Sequence, residues 1–328
     1  MNCLCCGKPL NEASLPEQKS GWHNKCVKAF FGTKELPEID ITDASLQKIV
    51  TENTGKGFTV PGVQKKLSLY LSRGNNSEKP RFTLVNFPKS GYILKPQTKE
   101  YRALPEAEFA VMQMARCTGI KTVPFALIGN KEEGYAYITK RIDRHFDKAG
   151  DITRLAMEDF CQLAERLTAD KYKGSYERCA KIISDFSSRT GLDLSELYLR
   201  LLFCFAVGNS DMHLKNFSLV ETVQGNGNYE LSRAYDLLPV NVILTDDTEQ
   251  FALTMNGKKN KLKRHDFEEF ATTCGISPKV AFNLINKVVQ KHEEYIALCR
   301  ISLMPKQMKV DFEKLLEERI KILCGEEK

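Results

Sequence analysis

The feature that most constrains the fold is a change in hydrophobic pattern near the middle of the chain. Up to about residue 142, short apolar runs such as Leu67–Leu71 and Gly91–Pro96 alternate with turn residues, which predicts β-strands. Leu104–Cys117 is the exception, because its apolar residues recur at helical spacing. Beyond residue 142, helical spacing dominates. We therefore predict an α+β chain with two lobes, a small β-rich lobe followed by a larger helical one.

Helical spacing predicts five helices in the second half: Met157–Leu167, Tyr176–Arg189, Leu194–Val207, Lys279–Gln290 and Lys309–Cys324. Asp193 or Ser195 would cap the third, because both side chains accept hydrogen bonds at helix N-termini. A hairpin should pair Leu214–Val220 with Tyr229–Arg233 across a glycine-containing turn. We place domain boundaries to give three parts: a Cys/His segment at 1–35, a β-rich lobe at 36–142 and a helical lobe at 143–328.

Cysteine usage and charge limit the compartment and the partners. The chain has 11 cysteines and 5 histidines, and no apolar signal segment follows Met1. No run approaches the ~20 apolar residues of a membrane-spanning helix. We therefore expect reduced thiols, a cytoplasmic location and no membrane association. A hydrophobic content of 42% excludes a disordered chain, and a net charge of +6 is too small to predict nucleic-acid binding.

The first 26 residues contain a cluster of potential metal ligands. Cys3 and Cys6 form a C-x2-C pair, and His23 and Cys26 form an H-x2-C pair. Two such pairs fit one tetrahedral zinc ion, because each can wrap the ion on a tight turn. Four protein ligands leave no open position, so the role would be structural. Free thiols with an incidental histidine are the alternative, and Cys5 would be a spare thiol or a replacement ligand.

The segment from Gly208 to Phe217 carries the strongest catalytic signal. It contains Asp211 and Asn216 with four residues between them, which is the spacing of a kinase catalytic loop. In such a loop the aspartate accepts the proton of the attacking hydroxyl, and the asparagine oxygen binds magnesium. The loop follows an apolar helix and precedes a predicted strand, as this role requires. A polar turn with His213 as a structural histidine is the alternative.

Three further residues extend this set in the expected chain order. Asp236, after the predicted hairpin, would hold magnesium ions that bridge the phosphates. Lys95 ends an apolar strand, where its cation is suitably placed for the α- and β-phosphates. Glu108 on the following helix would pair with Lys95, and Glu106 is the competing candidate. Taken singly, each residue is also consistent with an ordinary strand end or a solvated surface charge.

A loop that covers the phosphates should precede Lys95, and residues 59–66 occupy that place. This loop contains a single glycine where a glycine-rich loop has three. The order along the chain is nevertheless that of one phosphoryl-transfer site, whose task is positioning and charge neutralisation: Gly62, Lys95, Glu108, Asp211, Asn216 and Asp236.

These residues resemble the HipA/HipT family of bacterial serine/threonine kinase toxins. The specific part is Asp211-x-His-x-Lys-Asn followed by Tyr235-Asp236. The matching stretches lie between about residues 55 and 260: Gly62–Leu67, Tyr92–Pro96, Ala107–Phe109, Thr139–Arg144, Glu158–Phe160, Gly208–Ser218 and Tyr235–Leu238. The resemblance implies a bilobal, protein-kinase-like fold of the HipA type and an ATP- and magnesium-dependent protein kinase.

The resemblance also implies a role for each matching residue. Asp211 would be the catalytic base, acting with Lys95 and His213, and Asn216 and Asp236 would bind magnesium. The remaining nucleotide contacts would come from the covering loop, the Lys95 partner, the hinge between lobes and the second acidic motif: Gly62, Val63, Gln64, Lys65, Lys66, Glu108, Lys140, Ile142 and Tyr235.

Regulation and partners follow from the same resemblance. Relatives are inactivated by autophosphorylation of a serine just before the loop glycine, a position that Thr59 occupies here, while Pro61 replaces a second serine. The short Cys/His segment suggests the truncated HipT-like form, which lacks the N-terminal subdomain of longer toxins. The expected partners are a HipB-like helix-turn-helix antitoxin, a small HipS-like protein and an aminoacyl-tRNA synthetase as substrate. DNA would be bound only indirectly, through the antitoxin.

Two other functions remain open on the sequence. A small-molecule phosphotransferase would use the same Asp-x4-Asn spacing, although His213 and the hinge sequence argue against it. A non-catalytic partner of an antitoxin–DNA complex is the second alternative, and the intact Lys95, Asp211, Asn216 and Asp236 set argues against it. The basic run 258–264 is interpreted as a solvated loop, because no aromatic residues interleave for base stacking.

Overall fold

The structure is a computed structural model, and it describes residues 1–38, 66–72, 79–83, 90–130, 134–146 and 152–326. Thr59, Gly62, Val63, Gln64 and Lys65, predicted for the covering loop, lie outside these described residues. The chain forms two compact units. The first comprises Met1–Phe109 and Val123–Arg141, and the second comprises Ala110–Thr122 and Ile142–Lys328. The three-part division predicted from the sequence remains a prediction.

The first unit is built on an antiparallel five-stranded sheet with the order β2-β1-β3-β5-β4. The strands are β1 (Leu67–Ser72), β2 (Arg81–Thr83), β3 (Tyr92–Lys95), β4 (Phe125–Asn130) and β5 (Gly134–Lys140). Two short helices, α1 (Leu15–Ser20) and α2 (Asn24–Phe31), lie N-terminal to the sheet in the chain. The strands predicted within Leu67–Leu71 and Gly91–Pro96 are thus present as β1 and β3.

An aromatic cluster joins the N-terminal helices to the sheet. Tyr92 of β3 packs against Phe31 of α2 and Phe82 of β2, with ring centroids 5.8 and 5.3 Å away. Phe31 also contacts Trp22, at 5.3 Å. Aromatic pairs at these distances add to the free energy gained from burial, so the first 31 residues share a core with the sheet.

The second unit is mainly helical. The long helix α3 (Leu104–Thr118) begins in the first unit and ends in the second. The other described helices are α4 (Phe160–Leu163), α5 (Tyr176–Phe186), α6 (Thr190–Ala206), α7 (Val240–Ile243), α8 (Arg264–Thr273), α9 (Pro278–Val289), α10 (His292–Ile301) and α11 (Lys306–Cys324). None of the described helices is long and apolar enough to cross a membrane.

Two small sheets and a central helix complete the second unit. Strand β6 (Arg144–Phe146) pairs with β7 (Ile152–Arg154). The other sheet contains β8 (Met157–Asp159), β9 (Ser218–Glu221) and β10 (Tyr229–Leu231) in the order β10-β9-β8. Helix α6 forms the core, because the residues of its second half from Leu199 to Ala206 are buried on every face.

The structure corrects two helix predictions. Residues 157–159, predicted as helix, form β8, because they pair in register with β9 and Asp159 then caps α4. Helix α6 begins at Thr190, so neither Asp193 nor Ser195 caps it. The buried Asp193 carboxylate instead accepts hydrogen bonds from Ser187 Oγ and from Leu231 N, both at 2.7 Å. At residues 157–159, long-range pairing with β9 overrode the local helical pattern.

Candidate active site

The loop that carries Asp211 starts at the glycine that ends α6. Gly208 has φ +66°, and Asn209 N donates to Cys204 O at 2.8 Å, which closes the helix with a left-handed cap. A Cβ at position 208 would lie 2.9 Å from Leu315 Cδ2. Both the positive φ and this close approach favour glycine at position 208.

Asn216 fixes the backbone of Asp211. Asn216 Nδ2 and the His213 amide both donate to the Asp211 carbonyl oxygen, each at 2.8 Å. Asn216 is 7% exposed, whereas the side chain of Asp211 is 47% exposed. The tight turn therefore holds the asparagine inside the fold and presents the aspartate carboxylate to solvent.

The Tyr235-Asp236 motif lies against the same loop. Tyr235 OH donates to Lys215 O at 3.2 Å and is joined to Ser218 Oγ by a 2.6 Å hydrogen bond. Burial raises the pKa of Tyr235, so its hydroxyl stays protonated. Asp236 has φ +60°, a left-handed conformation that is uncommon outside glycine and concentrates at functional sites.

The negative charges of Asp211 and Asp236 both act on the His213 ring. Burial lowers the pKa of His213, although the negative charges of Asp211 and Asp236 oppose this effect. His213 Nε2 is 4.0 Å from Asp211 Oδ2, beyond hydrogen-bond distance. The histidine is therefore neutral at neutral pH, and it contributes a polar ring to the loop and no positive charge.

The side chains of Asn216 and Asp236 carry oxygen ligands of the kind that a magnesium ion prefers. Asp236 supplies a carboxylate, and Asn216 supplies an amide oxygen because its Nδ2 is already used by the Asp211 carbonyl. Hard cations such as Mg²⁺ prefer oxygen ligands of these two types. The predicted metal-binding residues are therefore chemically suited to the ion.

In the first unit, Lys95 and Glu108 form a buried ion pair. Lys95 Nζ lies 2.5 Å from Glu108 Oε1, and the two side chains are 5% and 0% exposed. Lys95 Nζ also lies 5.2 Å from the centroid of the Tyr137 ring on β5. Glu106, the competing candidate, points elsewhere: burial raises the pKa of its carboxyl, and its Oε2 has no hydrogen-bond partner among the described residues.

The predicted hinge residues end the first unit and begin the second. Lys140 is the last residue of β5, and its amide donates to Pro124 O at 3.0 Å. The Arg141 amide donates to Gly91 O at 2.9 Å, and Ile142 opens the second unit. An adenine contact would therefore use a group other than these two amides. Lys66, the described end of the predicted covering loop, directly precedes β1.

The four predicted zinc ligands converge. The ligand atoms of Cys3, Cys6, His23 and Cys26 all lie within 4.8 Å of one another, and Cys6 Sγ is 3.4 Å from His23 Nδ1. Ligands of a tetrahedral zinc ion are separated by roughly 3.5 Å, so the set fits such an ion. Burial raises the pKa of Cys6, but hydrogen bonds from the Lys8 backbone and neighbouring thiols outweigh it and lower the pKa overall. Cys5 is not part of the cluster.

The cluster is attached to the sheet of the first unit. Leu127 N, on β4, donates to Leu4 O at 2.8 Å, and Leu4 lies directly after Cys3. Strand β4 is at the edge of the described sheet. The Cys-rich turn thus satisfies a backbone donor of an edge strand, which would otherwise face water or another chain.

Sequence reasoning missed one residue that contacts the loop carrying Asp211. Tyr172 OH donates a 2.7 Å hydrogen bond to Asp211 Oδ1. Tyr172 lies 39 positions before Asp211 in the chain, and no spacing rule links two residues that far apart. Lys215, within the Asp211–Asn216 motif, forms a 2.6 Å ion pair with Asp159. Asp159 lies in Glu158–Phe160, another stretch on which the family resemblance was based.

A family comparison decides the assignment. The model of the HipA-like C-terminal domain family matches residues 58–296, well over half of the chain. This chain belongs to the HipA-like family. The resemblance found in the sequence is thereby confirmed.

Three curated relatives of this HipA-like chain are named as candidate kinases. Two are from Sinorhizobium fredii: Y4dM is 29% identical over 71% of this chain, and Y4mE is 27% identical over 88% of it. The matches span 58% and 66% of these two relatives' lengths. A Haemophilus influenzae protein is 26% identical over 92% of both chains.

Solved structures confirm the HipA-like fold. HipA of a Shewanella oneidensis toxin–antitoxin system, solved with HipB and operator DNA, superposes with a TM-score of 0.66 at 18% identity, covering 84% of this chain and 70% of that one. The Helicobacter pylori kinase CtkA gives 0.56 at 17% identity, covering 84% and 93%. At these identities the likeness concerns the fold alone. The predicted α+β, HipA-like fold class is correct.

Proposed function

We propose that this protein is an ATP- and magnesium-dependent serine/threonine protein kinase and the toxin of a bacterial toxin–antitoxin module. The observation that carries the proposal is the loop in which Asn216 fixes the backbone of Asp211 while the carboxylate stays half exposed. A base in this setting can reach a hydroxyl from solvent without rearranging the loop. Family membership and the candidate-kinase names of three relatives support the same activity.

The reaction transfers the γ-phosphoryl group of ATP to a serine or threonine hydroxyl. The hydroxyl oxygen bonds to the γ-phosphorus as the bond from that phosphorus to the leaving oxygen of ADP breaks. The hydroxyl proton passes to the Asp211 carboxylate. Magnesium, when held by Asn216 and Asp236, supplies charge neutralisation at the phosphates. Lys95 binds phosphate oxygens, and Glu108 keeps its ammonium group in place.

The proposed partners rest on the family. The Shewanella HipA was solved with HipB and operator DNA, and this supports a HipB-like antitoxin that would bring DNA to this chain indirectly. A small HipS-like protein and an aminoacyl-tRNA synthetase substrate follow from the resemblance noted in the sequence. The same resemblance supports Thr59 as the site of inhibitory autophosphorylation, which phosphopeptide mass spectrometry of the purified chain would test. Phosphate found only at other residues would refute it.

We also propose that Cys3, Cys6, His23 and Cys26 bind one structural zinc ion. Support comes from the convergence of the four ligand atoms and from the attachment of the turn to β4. With four protein ligands the ion has no position for a substrate, so its contribution is to stability.

The kinase proposal is tested by phosphoryl transfer from labelled ATP to a bacterial lysate and to casein. Asp211→Asn should lower the rate at least a hundredfold, because no carboxylate remains to accept the proton. Asp185→Asn is the matched control, since Asp185 makes an exposed ion pair with Lys181 on α5 and should not matter.

Two results would overturn the proposal. Transfer to small molecules of the lysate with none to protein would identify a small-molecule phosphotransferase. Absence of any magnesium-dependent transfer by the intact protein would identify a non-catalytic partner.

A further inference from the structure

Tyr172 makes a hydrogen bond that the kinase motif does not contain. Its hydroxyl donates to Asp211 Oδ1 at 2.7 Å. A hydrogen bond to an ionised acceptor is shorter and about twice as strong as one between neutral groups. Burial and the neighbouring Asp211 carboxylate raise the pKa of Tyr172, so the hydroxyl remains a donor at neutral pH.

The tyrosine is anchored to the catalytic loop at several points. Lys171 O accepts a hydrogen bond from Leu214 N at 3.2 Å, which ties the backbone before Tyr172 to the loop. The Tyr172 ring makes an edge contact with the His213 ring, with centroids 5.1 Å apart. The Lys171 ammonium lies 4.9 Å from the Tyr172 ring centroid. The hydroxyl is thus held where it meets Asp211, although Tyr172 is 43% exposed.

This arrangement gives the two oxygens of the Asp211 carboxylate different surroundings. Oδ1 accepts from Tyr172, while Oδ2 is 4.0 Å from His213 Nε2 and makes no hydrogen bond with it. A carboxylate rotates readily about its terminal torsion, and a half-exposed one has little packing to hold it. The Tyr172 hydrogen bond therefore selects one orientation and leaves Oδ2 to accept a proton.

We propose that Tyr172 is a positioning residue, which orients the Asp211 carboxylate so that Oδ2 receives the proton of the phosphoacceptor hydroxyl. This inference rests on the proposed kinase function and adds to it a residue that acts only through Asp211. The proton passes from the acceptor hydroxyl to Oδ2 as the new O–P bond forms and the bond to ADP breaks. Tyr172 keeps its own proton throughout.

The test is a double-mutant cycle measured as phosphoryl transfer to casein at saturating ATP. Tyr172→Phe keeps the ring on His213 and removes only the hydroxyl, so kcat should fall about tenfold while KM for ATP changes less than twofold. In an Asp211→Asn background, where no base remains to be oriented, the same substitution should change the residual rate less than twofold.

Tyr198→Phe is the matched control. Tyr198 is buried on α6, and its hydroxyl has no hydrogen-bond partner among the described residues, so removing it should change neither rate. Melting temperatures of all variants verify that each is folded.

Several outcomes would overturn the inference. An equal loss in both backgrounds would make Tyr172 merely structural. A rate increase in Tyr172→Phe would mean that its hydroxyl competes with the acceptor, and an unchanged rate would remove any role. An active parent with any of these results leaves the kinase function intact, whereas an inactive parent refutes the kinase function and this inference together.

Discussion

At the scale of single residues, burial distinguishes two glutamates that the sequence presents as equals. Glu106 and Glu108 both lie in the first turns of α3, yet Glu108 pairs with Lys95 inside the first unit. A buried pair that loses one partner leaves an uncompensated charge, and this costs several kcal/mol. Among the residues that the structure describes, no cation pairs with Glu106, and burial of its carboxyl favours the neutral acid.

Glu108→Gln should therefore impair the protein where Glu106→Gln does not. Removing the carboxylate breaks this buried ion pair with Lys95, so the unfolding free energy should fall by about 3 kcal/mol. The catalytic efficiency for ATP should fall at least tenfold, as Lys95 loses its orientation. Urea denaturation and steady-state kinetics measure the two effects. A Glu106→Gln variant that shows the larger losses would reverse the assignment.

Glu106 makes the stability depend on pH. Burial raises the pKa of Glu106 in the folded protein above its ordinary value of 4.5, so just above that pH the folded state keeps a proton that the unfolded chain has released. The contribution of Glu106 to stability is therefore lost as pH rises above about 4.5. Glu106→Gln should stabilise the protein against urea at pH 7 and have no effect near pH 4. Equal effects at both pH values would contradict this linkage.

At the scale of elements, the Cys/His segment and the sheet edge stabilise each other. The segment is too short to have a core of its own. It contacts the sheet through the Leu4 carbonyl and through the aromatic cluster around Tyr92. A bound metal would hold the turn in the conformation that offers this carbonyl to β4. Without it, the Leu127 amide would be an open edge-strand donor.

Cys3→Ser with Cys6→Ser should remove about one equivalent of zinc from the purified protein, since each cysteine supplies one of four ligands. The midpoint of thermal unfolding should fall, and the Leu127 amide should exchange hydrogen faster than the amides of β3, a strand paired on both sides. Cys324→Ser, which removes an exposed thiol outside the cluster, is the control. A parent protein that contains no metal would exclude the site.

At the scale of the whole molecule, the net charge does not indicate which class of partner the protein binds. The net charge is +6, and in the basic run 258–264 Lys258 pairs with Asp266 and Lys259 with Glu249. These lysines are partly neutralised by their own fold, which agrees with a solvated loop. Recognition of a protein substrate should then depend on surface shape near Asp211 more than on long-range attraction.

Expression in bacteria should arrest growth, because the proposed target is a component of translation. One dominant labelled protein should appear in lysate incubated with labelled ATP, and Asp211→Asn should abolish both effects. Growth curves measure the arrest, and autoradiography detects the labelled protein. Arrest that persists undiminished with Asp211→Asn would separate the toxicity from phosphoryl transfer.

Local patterns were sufficient for much of the fold and for several of the site residues. The helix at Leu104–Thr118 and the strand at Tyr92–Lys95 are visible because apolar spacing reflects one buried face. Helix α8 escaped prediction because charged residues interrupt its apolar pattern and only a few side chains reach the core. Strand β8 was misread because its pairing with β9, about 60 residues later, carries no local signal.

The sequence by itself determined which side chains are available for the proposed chemistry: an Asp-x4-Asn loop, a later aspartate, and two ligand pairs suited to zinc. Such residues are recognised by type and spacing, which folding does not alter. Only the tertiary structure decided that Glu108 and not Glu106 pairs with Lys95, that Leu4 O accepts a hydrogen bond from Leu127 N of β4, and that Tyr172 bonds to Asp211. These are contacts between distant segments, and they depend on burial and on distances of a few ångströms that no spacing along the chain encodes.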